Sequence, residues 1–350
     1  MNKKWILPSL LALTMLGLFA AFEHRSRQEV VVDRAMRSEV IEALVAQLNA
    51  HYVVPDQARQ IEALLRWHQR EGKYDRITNG FRLADRLTAD LRGVTGDLHM
   101  KLWFKPGLDK PDEGARPPLV TAAQWEQRYN VFQRYRMRYT AEREVGRVRI
   151  LDHNIGYLKI ASFPDAYLIA GKFAAAMDEL ADTDGLILDL SPNAGGDPDS
   201  VALLISYFVD RGTRLNDTFD RDTGSTTQQW TKEGLAGKRY GGRKPVSILV
   251  GPRTGSAGED FAYTMQALKR ATVVGRPTWG GAHPMRSYRI GEHFVADIPR
   301  YRSISPITGT NWQGVGVIPD IEATQAGALA LAHNLLRRQV QGAPLAAAER

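Results

Sequence analysis

Ser256 stands in a glycine-rich turn, GPRTGSAGE at 251–259, between an apolar run that predicts a strand and a periodic stretch that predicts a helix. At a strand-to-helix turn a serine hydroxyl is exposed, and the next backbone amide and the helix dipole can stabilise an oxyanion. Serine is also a common helix N-cap. The sequence therefore leaves two interpretations of Ser256 open, a nucleophile and a helix cap.

A serine nucleophile needs a general base, and the chain has eight histidines. His99 falls where a predicted helix gives way to a strand, and His283 lies in a glycine turn at 280–284. Four others lie in segments where structural or solvent roles are expected: His24, His51, His68 and His333. Spacing alone does not choose between His99 and His283 as the base.

A second glycine turn follows another predicted strand, in the segment SPNAGGD at 191–197. Its adjacent glycines, Gly195 and Gly196, can direct backbone N–H groups towards an anion. The pattern matches neither a P-loop nor the dinucleotide fingerprint, so it also fits an ordinary turn at a strand end.

Short apolar runs alternate with helical stretches after residue 154, which predicts an α/β fold with strands covered on both faces. Between residues 38 and 91, apolar residues at spacings of three or four predict three amphipathic helices. Ser38 is the predicted cap of the first, Pro55 opens the second, and Asn79 caps the third. The segment KPGLDKPDEGARPP at 105–118 predicts a loop or linker.

At the N-terminus, Lys3 and Lys4 precede an apolar stretch at 5–22, the arrangement of an export signal. The stretch is at the lower length limit for a membrane span, so a cleaved signal peptide and a membrane anchor both remain open. We therefore expect an exported protein, either in the bacterial periplasm or anchored to the inner membrane and facing the periplasm.

Composition narrows the chemistry further. The absence of cysteine excludes thiolate nucleophiles, disulfides and cysteine metal sites. The net charge of +7 falls entirely within residues 1–150, and the rest of the chain is neutral. Because the basic residues are dispersed, the charge does not indicate a nucleic-acid partner.

Five motifs occur in the order typical of peptidase family S41: GDLH at 96–99, NIGYL at 154–158, LDL with NAGG at 188–196, TGSAGE at 254–259 and NWQGVGVIPD at 311–320. The chain most resembles the branch that contains the interphotoreceptor retinoid-binding protein modules, which is similar to the tricorn core and the tail-specific proteases. The resemblance covers roughly residues 35–325.

The resemblance implies a crotonase/ClpP-like α/β core next to the N-terminal helical bundle. No PDZ domain is expected, because the stretch of about 55 residues between His99 and Asn154 is too short for that domain and its connections. It implies Ser256 as nucleophile, His99 as base, and the amides of Gly195 and Ala257 as the oxyanion hole. Gly196, Gly281 and His283 are expected to shape the cleft, with His283 as the reserve base.

Two positions depart from the family pattern. Where tricorn-like enzymes have a relay glutamate, this chain has Gln313, which is expected as the third catalytic residue. Its side-chain oxygen can accept the ring N–H of His99 and fix the tautomer, but it cannot stabilise an imidazolium as a carboxylate does. Where tail-specific proteases have a lysine about 25 residues after the serine, this chain has Gly281. A Ser–Lys dyad is therefore not expected.

The predicted organisation is a leader at 1–24, a helical bundle domain at 25–95, a histidine-bearing strand and linker at 96–154, an S41-like catalytic domain at 155–325 and a helical tail at 326–350. We expect an exported serine peptidase that acts on a peptide or unfolded protein without a metal or other cofactor. Membrane contact is expected only through the N-terminal segment, and homo-oligomer formation is left open. The alternatives are a non-catalytic binder of hydrophobic ligand or peptide, and an envelope-anchored scaffold.

Overall fold

The computed structural model describes residues 30–106 and 145–342. The predicted leader, residues 107–144 of the predicted linker and the last eight residues lie outside the described residues. The described residues contain the helices α1 (Arg34–His51), α2 (Pro55–Arg70), α3 (Gly80–Thr95), α4 (Ala166–Leu180), α5 (Pro198–Ile205), α6 (Ala257–Ala267) and α7 (Ala328–Val340). The strands are β1 (Lys101–Phe104), β2 (Arg149–Leu151), β3 (Ile155–Lys159), β4 (Gly185–Asp189), β5 (Asp217–Asp220), β6 (Thr226–Thr227), β7 (Val246–Val250), β8 (Thr272–Gly275), β9 (Met285–Ile290), β10 (Phe294–Pro299), β11 (Tyr301–Ile304) and β12 (Ile321–Glu322).

A six-stranded sheet with the order β12-β8-β7-β4-β3-β2 forms the centre of the larger part. Its strands are parallel except β2, which runs antiparallel to β3 at one edge. Helices cover both faces: Leu186 and Leu188 of β4 pack in the core under α4, α5 and α6, whereas Ile187 packs in the core under α7. Burial on both faces explains why the central strands are mostly apolar, and the predicted α/β class is confirmed.

The three N-terminal helices pack on an antiparallel sheet of order β1-β10-β9. Their core is shared with β9 and β10, which come from the C-terminal half of the chain, through side chains such as Tyr288, Phe294 and Ile298. The helical unit and the α/β core are therefore joined by more than the segment at 96–154.

The helix starts were predicted with mixed success. Pro55 opens α2, and Asn79 caps α3 by accepting from the amide of Arg82. The prediction that Ser38 caps α1 is wrong, because the cap is Asp33, five residues earlier, and α1 begins at Arg34. The earlier start buries Arg37, whose guanidinium donates to the carbonyl of residue 32.

Adjacent parallel strands bring the two glycine turns together. β4 and β7 are neighbours, so the turns that follow them meet at the carboxyl edge of the sheet, where sites form in α/β folds. The amide of Gly255 donates to the carbonyl of Asn193 at 2.8 Å and links the turns directly. None of the helices in the described ranges is long and apolar enough to cross a membrane.

Candidate functional site

Ser256 sits at the turn between β7 and α6, at the N-cap position of α6. Its backbone has φ 51° and ψ −118°, a conformation that costs a residue with a side chain on the order of 1–3 kcal/mol. Such strain persists only where the surroundings hold it, and here Glu259 accepts from the Ser256 amide at 2.8 Å. The residue thus combines the cap position with the strained backbone of a nucleophile turn, and neither interpretation excludes the other.

Glu259 is the central acceptor beneath this turn and is fully buried. Besides the Ser256 amide, it accepts from the hydroxyl of Thr278 at 2.5 Å, from the amide of Gly281 at 2.9 Å and from the amide of Gly280. Burial raises the pKa of Glu259, and these hydrogen bonds oppose the rise. One carboxyl group therefore fixes Ser256 relative to the turn at 278–281. No role of Glu259 was predicted from the sequence, although the Ser-x-x-Glu spacing of a capping box is present at 256–259.

His99 lies between α3 and β1 and lines the same cavity as Ser256. Its ring contacts the edge of Trp279 at 4.9 Å between centroids, and it lies so close to Gly281 that a Cβ there would be 2.6 Å from Cε1 of the histidine. Burial lowers the pKa of His99 to about 4, which Asp97 partly opposes. His99 is therefore neutral at pH 7, as a general base must be.

Asp97 is fully buried and connects the two candidate histidines. One carboxylate oxygen accepts from the backbone amide of His99 at 3.1 Å, and the other lies 2.9 Å from Nδ1 of the buried His283. The carboxylate therefore orients the ring of His283 but only the backbone of His99. His283 does not line the cavity with Ser256, although its neighbours Ala282 and Pro284 do.

Gln313 was expected to accept from the ring of His99, and the structure differs. The side-chain oxygen of Gln313 accepts from the amide of Ala282 at 2.7 Å. Within the described residues, the buried Nδ1 of His99 and Nε2 of Gln313 have no hydrogen-bond partner. The ring of His99 is thus held by packing against Trp279 and Gly281, without an acceptor that fixes its tautomer.

The predicted oxyanion-hole residues lie beside the serine. A Cβ on Gly195 would be 2.7 Å from Cβ of Ser256 and 3.2 Å from the amide nitrogen of Ala257, so the backbones approach closely. The amide of Gly195, however, donates to Oδ1 of Asn193 at 2.9 Å, which differs from its expected role. The next amide, that of Gly196, donates to no described residue, and Gly196 lines the cavity.

The cavity has a volume of about 80 Å³. It is lined by His99, Gly196, Pro198, Asn216, Thr218, Gln229, Ser256, Ala257, Asp260, Gly281, Ala282, Pro284, Ser303 and Trp312. Of the predicted site residues it brings together the serine, His99, Ala257, Gly196 and Gly281, and the lining does not include Gly195, Gln313 or His283. Among the described residues, no group of three or more acidic or histidine side chains is arranged to hold a metal ion.

Two curated proteases are similar in sequence to parts of this chain. The chain is 27% identical over 190 residues to a carboxy-terminal-processing protease of Bartonella bacilliformis, which covers 50% of this chain and 40% of the relative. It is 26% identical over 220 residues to the tricorn protease of Thermoplasma volcanium, covering 61% of this chain and 19% of the relative. The chain thus spans less than half the length of these curated relatives.

The crystal structure of the tricorn protease matches with a TM-score of 0.56 and 15% identity, covering 87% of this chain and 37% of that chain, which supports the crotonase/ClpP-like fold. The model of peptidase family S41 matches residues 154–323. The model of the N-terminal domain of this family in eukaryotic IRBP matches residues 25–134. Together the two matches span most of the sequence, support a serine-type peptidase, and show that this chain belongs to peptidase family S41.

Proposed function

We propose that this chain is an exported serine peptidase in which Ser256 is the nucleophile and His99 the general base. The observation that carries the proposal is the placement of Ser256, in a strained turn at the N-terminus of α6 and in one cavity with a neutral histidine. The carboxy-terminal-processing relatives and family membership support peptide or unfolded protein as the substrate class.

The reaction is an acyl transfer in two steps. Nε2 of His99 removes the proton of the Ser256 hydroxyl as the oxygen attacks the peptide carbonyl, and the protonated imidazole then gives that proton to the leaving amine. Water, deprotonated by the same histidine, releases the acyl group and restores the serine. The amide of Ala257, at the first position of α6, is the proposed first donor to the oxyanion, and the Gly195-Gly196 turn supplies the second.

In the ground state, no hydrogen-bond acceptor among the described residues stabilises the ring of the base His99 at Nδ1. For Nε2 to accept a proton, Nδ1 must carry the other one, and a buried donor without an acceptor costs roughly 1–3 kcal/mol. The side-chain oxygen of Gln313 accepts from the amide of Ala282 but makes no hydrogen bond with Nδ1 of His99, so it does not relieve this cost. We therefore expect slower acylation than in relatives that have a carboxylate at this position.

Export is part of the proposal and rests on the N-terminal sequence, two lysines followed by an uninterrupted apolar stretch at 5–22. Fractionation of a bacterium that expresses the full chain should place it in the envelope, and deletion of residues 1–24 should leave it in the cytoplasm. Recovery of the full chain in the cytoplasm would contradict export without touching the assignment of Ser256.

Labelling with a fluorophosphonate tests the nucleophile directly. The wild-type chain should be labelled and should hydrolyse an unfolded protein substrate, and Ser256→Ala should lose both. Ser225→Ala, at an exposed serine in the loop before β6, is the matched control and should keep both. Labelling that survives Ser256→Ala would refute the assignment.

A second function, non-catalytic binding of a hydrophobic ligand or peptide on the same fold, is favoured by one observation. His99 and Gln313 each leave a buried polar atom without a partner, which a degraded relay would also show. A wild-type protein that resists the fluorophosphonate and retains ligand on purification would support this function over hydrolysis.

A further inference from the structure

The cavity beside Ser256 contains a carboxyl group that the proposed mechanism does not use. Asp260 is buried on α6, and one of its oxygens accepts from Nδ2 of Asn216 at 2.6 Å and from the hydroxyl of Thr264 at 3.2 Å. Both Asp260 and Asn216 line the cavity. Because only Oδ1 receives these bonds, Oδ2 of Asp260 retains its capacity to accept a hydrogen bond.

No basic side chain in the described parts of the chain forms an ion pair with Asp260. Its hydrogen-bond partners are neutral, and burial is the largest influence on its ionisation. Burial raises the pKa of Asp260 to about 6, while the hydrogen bonds from Asn216 and Thr264 oppose the rise. At pH 7.5 it is therefore a buried carboxylate without a counter-ion, and buried charges in folded proteins are normally paired.

Asn216 adds a further hydrogen-bond acceptor to the lining of the cavity. Its amide nitrogen donates both to Asp260 and to Thr264, so its side-chain oxygen faces away from those two residues as a further acceptor. The hydroxyls of Thr218 and Ser303 also line the cavity. A ligand group that satisfies this surface must carry several N–H donors, and a positive charge best offsets Asp260.

The position of Asp260 along α6 matches the length of a basic side chain. It follows Ser256 by four residues, which places the two residues on the same helix face and about 6 Å apart along the axis. An extended lysine side chain also spans about 6 Å from Cα to Nζ, from standard bond lengths. A residue whose carbonyl is attacked by Ser256 can therefore bring its charged end to Asp260.

We propose that Asp260 and Asn216 form a specificity pocket that binds the ammonium or guanidinium end of a substrate side chain next to the scissile bond. The inference rests on the proposed function, because it assigns the residue preference of the same site. Lysine and arginine substrates gain an ion pair in a cavity of low dielectric constant, which a neutral side chain of equal length does not.

Paired peptides that differ only in lysine or norleucine beside the cleaved bond test the pocket. For the wild-type chain at pH 7.5, kcat/KM should favour lysine at least tenfold. Asp260→Asn keeps an oxygen for Asn216 but removes the charge, and the preference should fall to about one. Asp182→Asn, at an exposed carboxylate, is the matched control and should keep the tenfold preference. A preference absent from the wild type, or retained in Asp260→Asn, would overturn the proposal.

Binding to the Ser256→Ala variant separates this inference from the proposed function. Calorimetry should show that this variant binds the lysine peptide about tenfold more tightly than the norleucine peptide, whether or not the wild type is catalytic. Loss of fluorophosphonate labelling in the wild type with retained lysine preference would refute only the proposed function. Labelling with equal affinity for both peptides would refute only the pocket.

The pH dependence of peptide affinity tests the pocket even if Asp260→Asn does not fold. The affinity of Ser256→Ala for the lysine peptide should fall about fivefold from pH 7.5 to pH 5, because most of Asp260 becomes protonated, and that for norleucine should not change. The other titratable groups nearby are His99, neutral in this range, Asp217, which is paired with Arg214, and Glu259, which accepts from the amides of Ser256, Gly280 and Gly281 beneath the turn. Equal pH dependence for the two peptides would contradict the pocket.

Discussion

Replacing Gln313 by glutamate should strengthen the general base. One glutamate oxygen can keep the hydrogen bond from the amide of Ala282, and the second replaces the unpartnered Nε2 near the turn that His99 contacts. A carboxylate close to a histidine raises its pKa by about 1–3 units, so the pKa of His99 should rise from about 4 to about 6.

Two units correspond to about 2.7 kcal/mol of imidazolium stabilisation. If half of it is expressed in the transition state, the barrier falls by about 1.4 kcal/mol and kcat/KM rises about tenfold. The acid limb of the kcat/KM profile should move upward with the pKa of His99, by the same two units.

The assay is the pH profile of peptide hydrolysis from pH 3.5 to 9 for the wild type and Gln313→Glu. Gln339→Glu makes the same chemical change on an exposed part of α7 and should leave both rate and profile unchanged. A Gln313→Glu variant with wild-type kcat/KM and an unmoved acid limb would refute the assignment of His99 as the base supported from this position.

Two further predictions concern the packing around the site. Gly281→Ala places a Cβ 2.6 Å from Cε1 of His99, and because misplacing a catalytic group by about 1 Å costs on the order of 100-fold, kcat should fall by about that factor. Gly93→Ala, where a Cβ would have nothing within 4 Å, is the control and should keep the wild-type kcat. Equal kcat values for Gly281→Ala and the wild type would contradict the packing argument. In the folded chain Asp260 holds its proton up to a pKa of about 6, whereas the unfolded chain releases it near 3.8. The unfolding free energy of the wild type should therefore fall by about 1.4 kcal/mol between pH 5 and pH 8 because of Asp260, and that of Asp260→Asn should lack this fall. Urea titrations that give the wild type and Asp260→Asn the same pH dependence would contradict this prediction.

Much of the fold follows from local patterns in the chain. The largely apolar runs at 185–190 and 246–250 predict strands covered on both faces, and β4 and β7 lie there as neighbours in the central sheet. The start of α1 was misplaced because serine and aspartate are both good caps, and the choice is made by the burial of Val32 and Arg37 against the segment before α3. Such contacts join residues about 40 positions apart and leave no local trace.

The residues of the candidate site were predicted only in part. Ser256 and His99 were predicted as partners, from a turn pattern and a family resemblance, and the structure places both on one cavity. The hydrogen bonds of Gln313 and Gly195 could not be predicted, because they depend on which of several nearby donors or acceptors each group meets after folding. Asp260 was missed because an acidic residue in the first turn of a helix is already explained by the helix dipole.

The strained backbone of Ser256 weighs against a purely binding role for the cavity. A serine that only capped α6 would have no need of a left-handed φ, and the conformation is maintained by burying Glu259 under the turn. Both costs are understandable if the hydroxyl must be presented beside the amide of Ala257. In a serine protease, replacing the relay aspartate by asparagine lowers kcat by about 10⁴, while the oxyanion hole and substrate binding alone still give about 10³–10⁴ over water. A histidine base without a carboxylate partner therefore fits a slow peptidase better than the loss of the reaction.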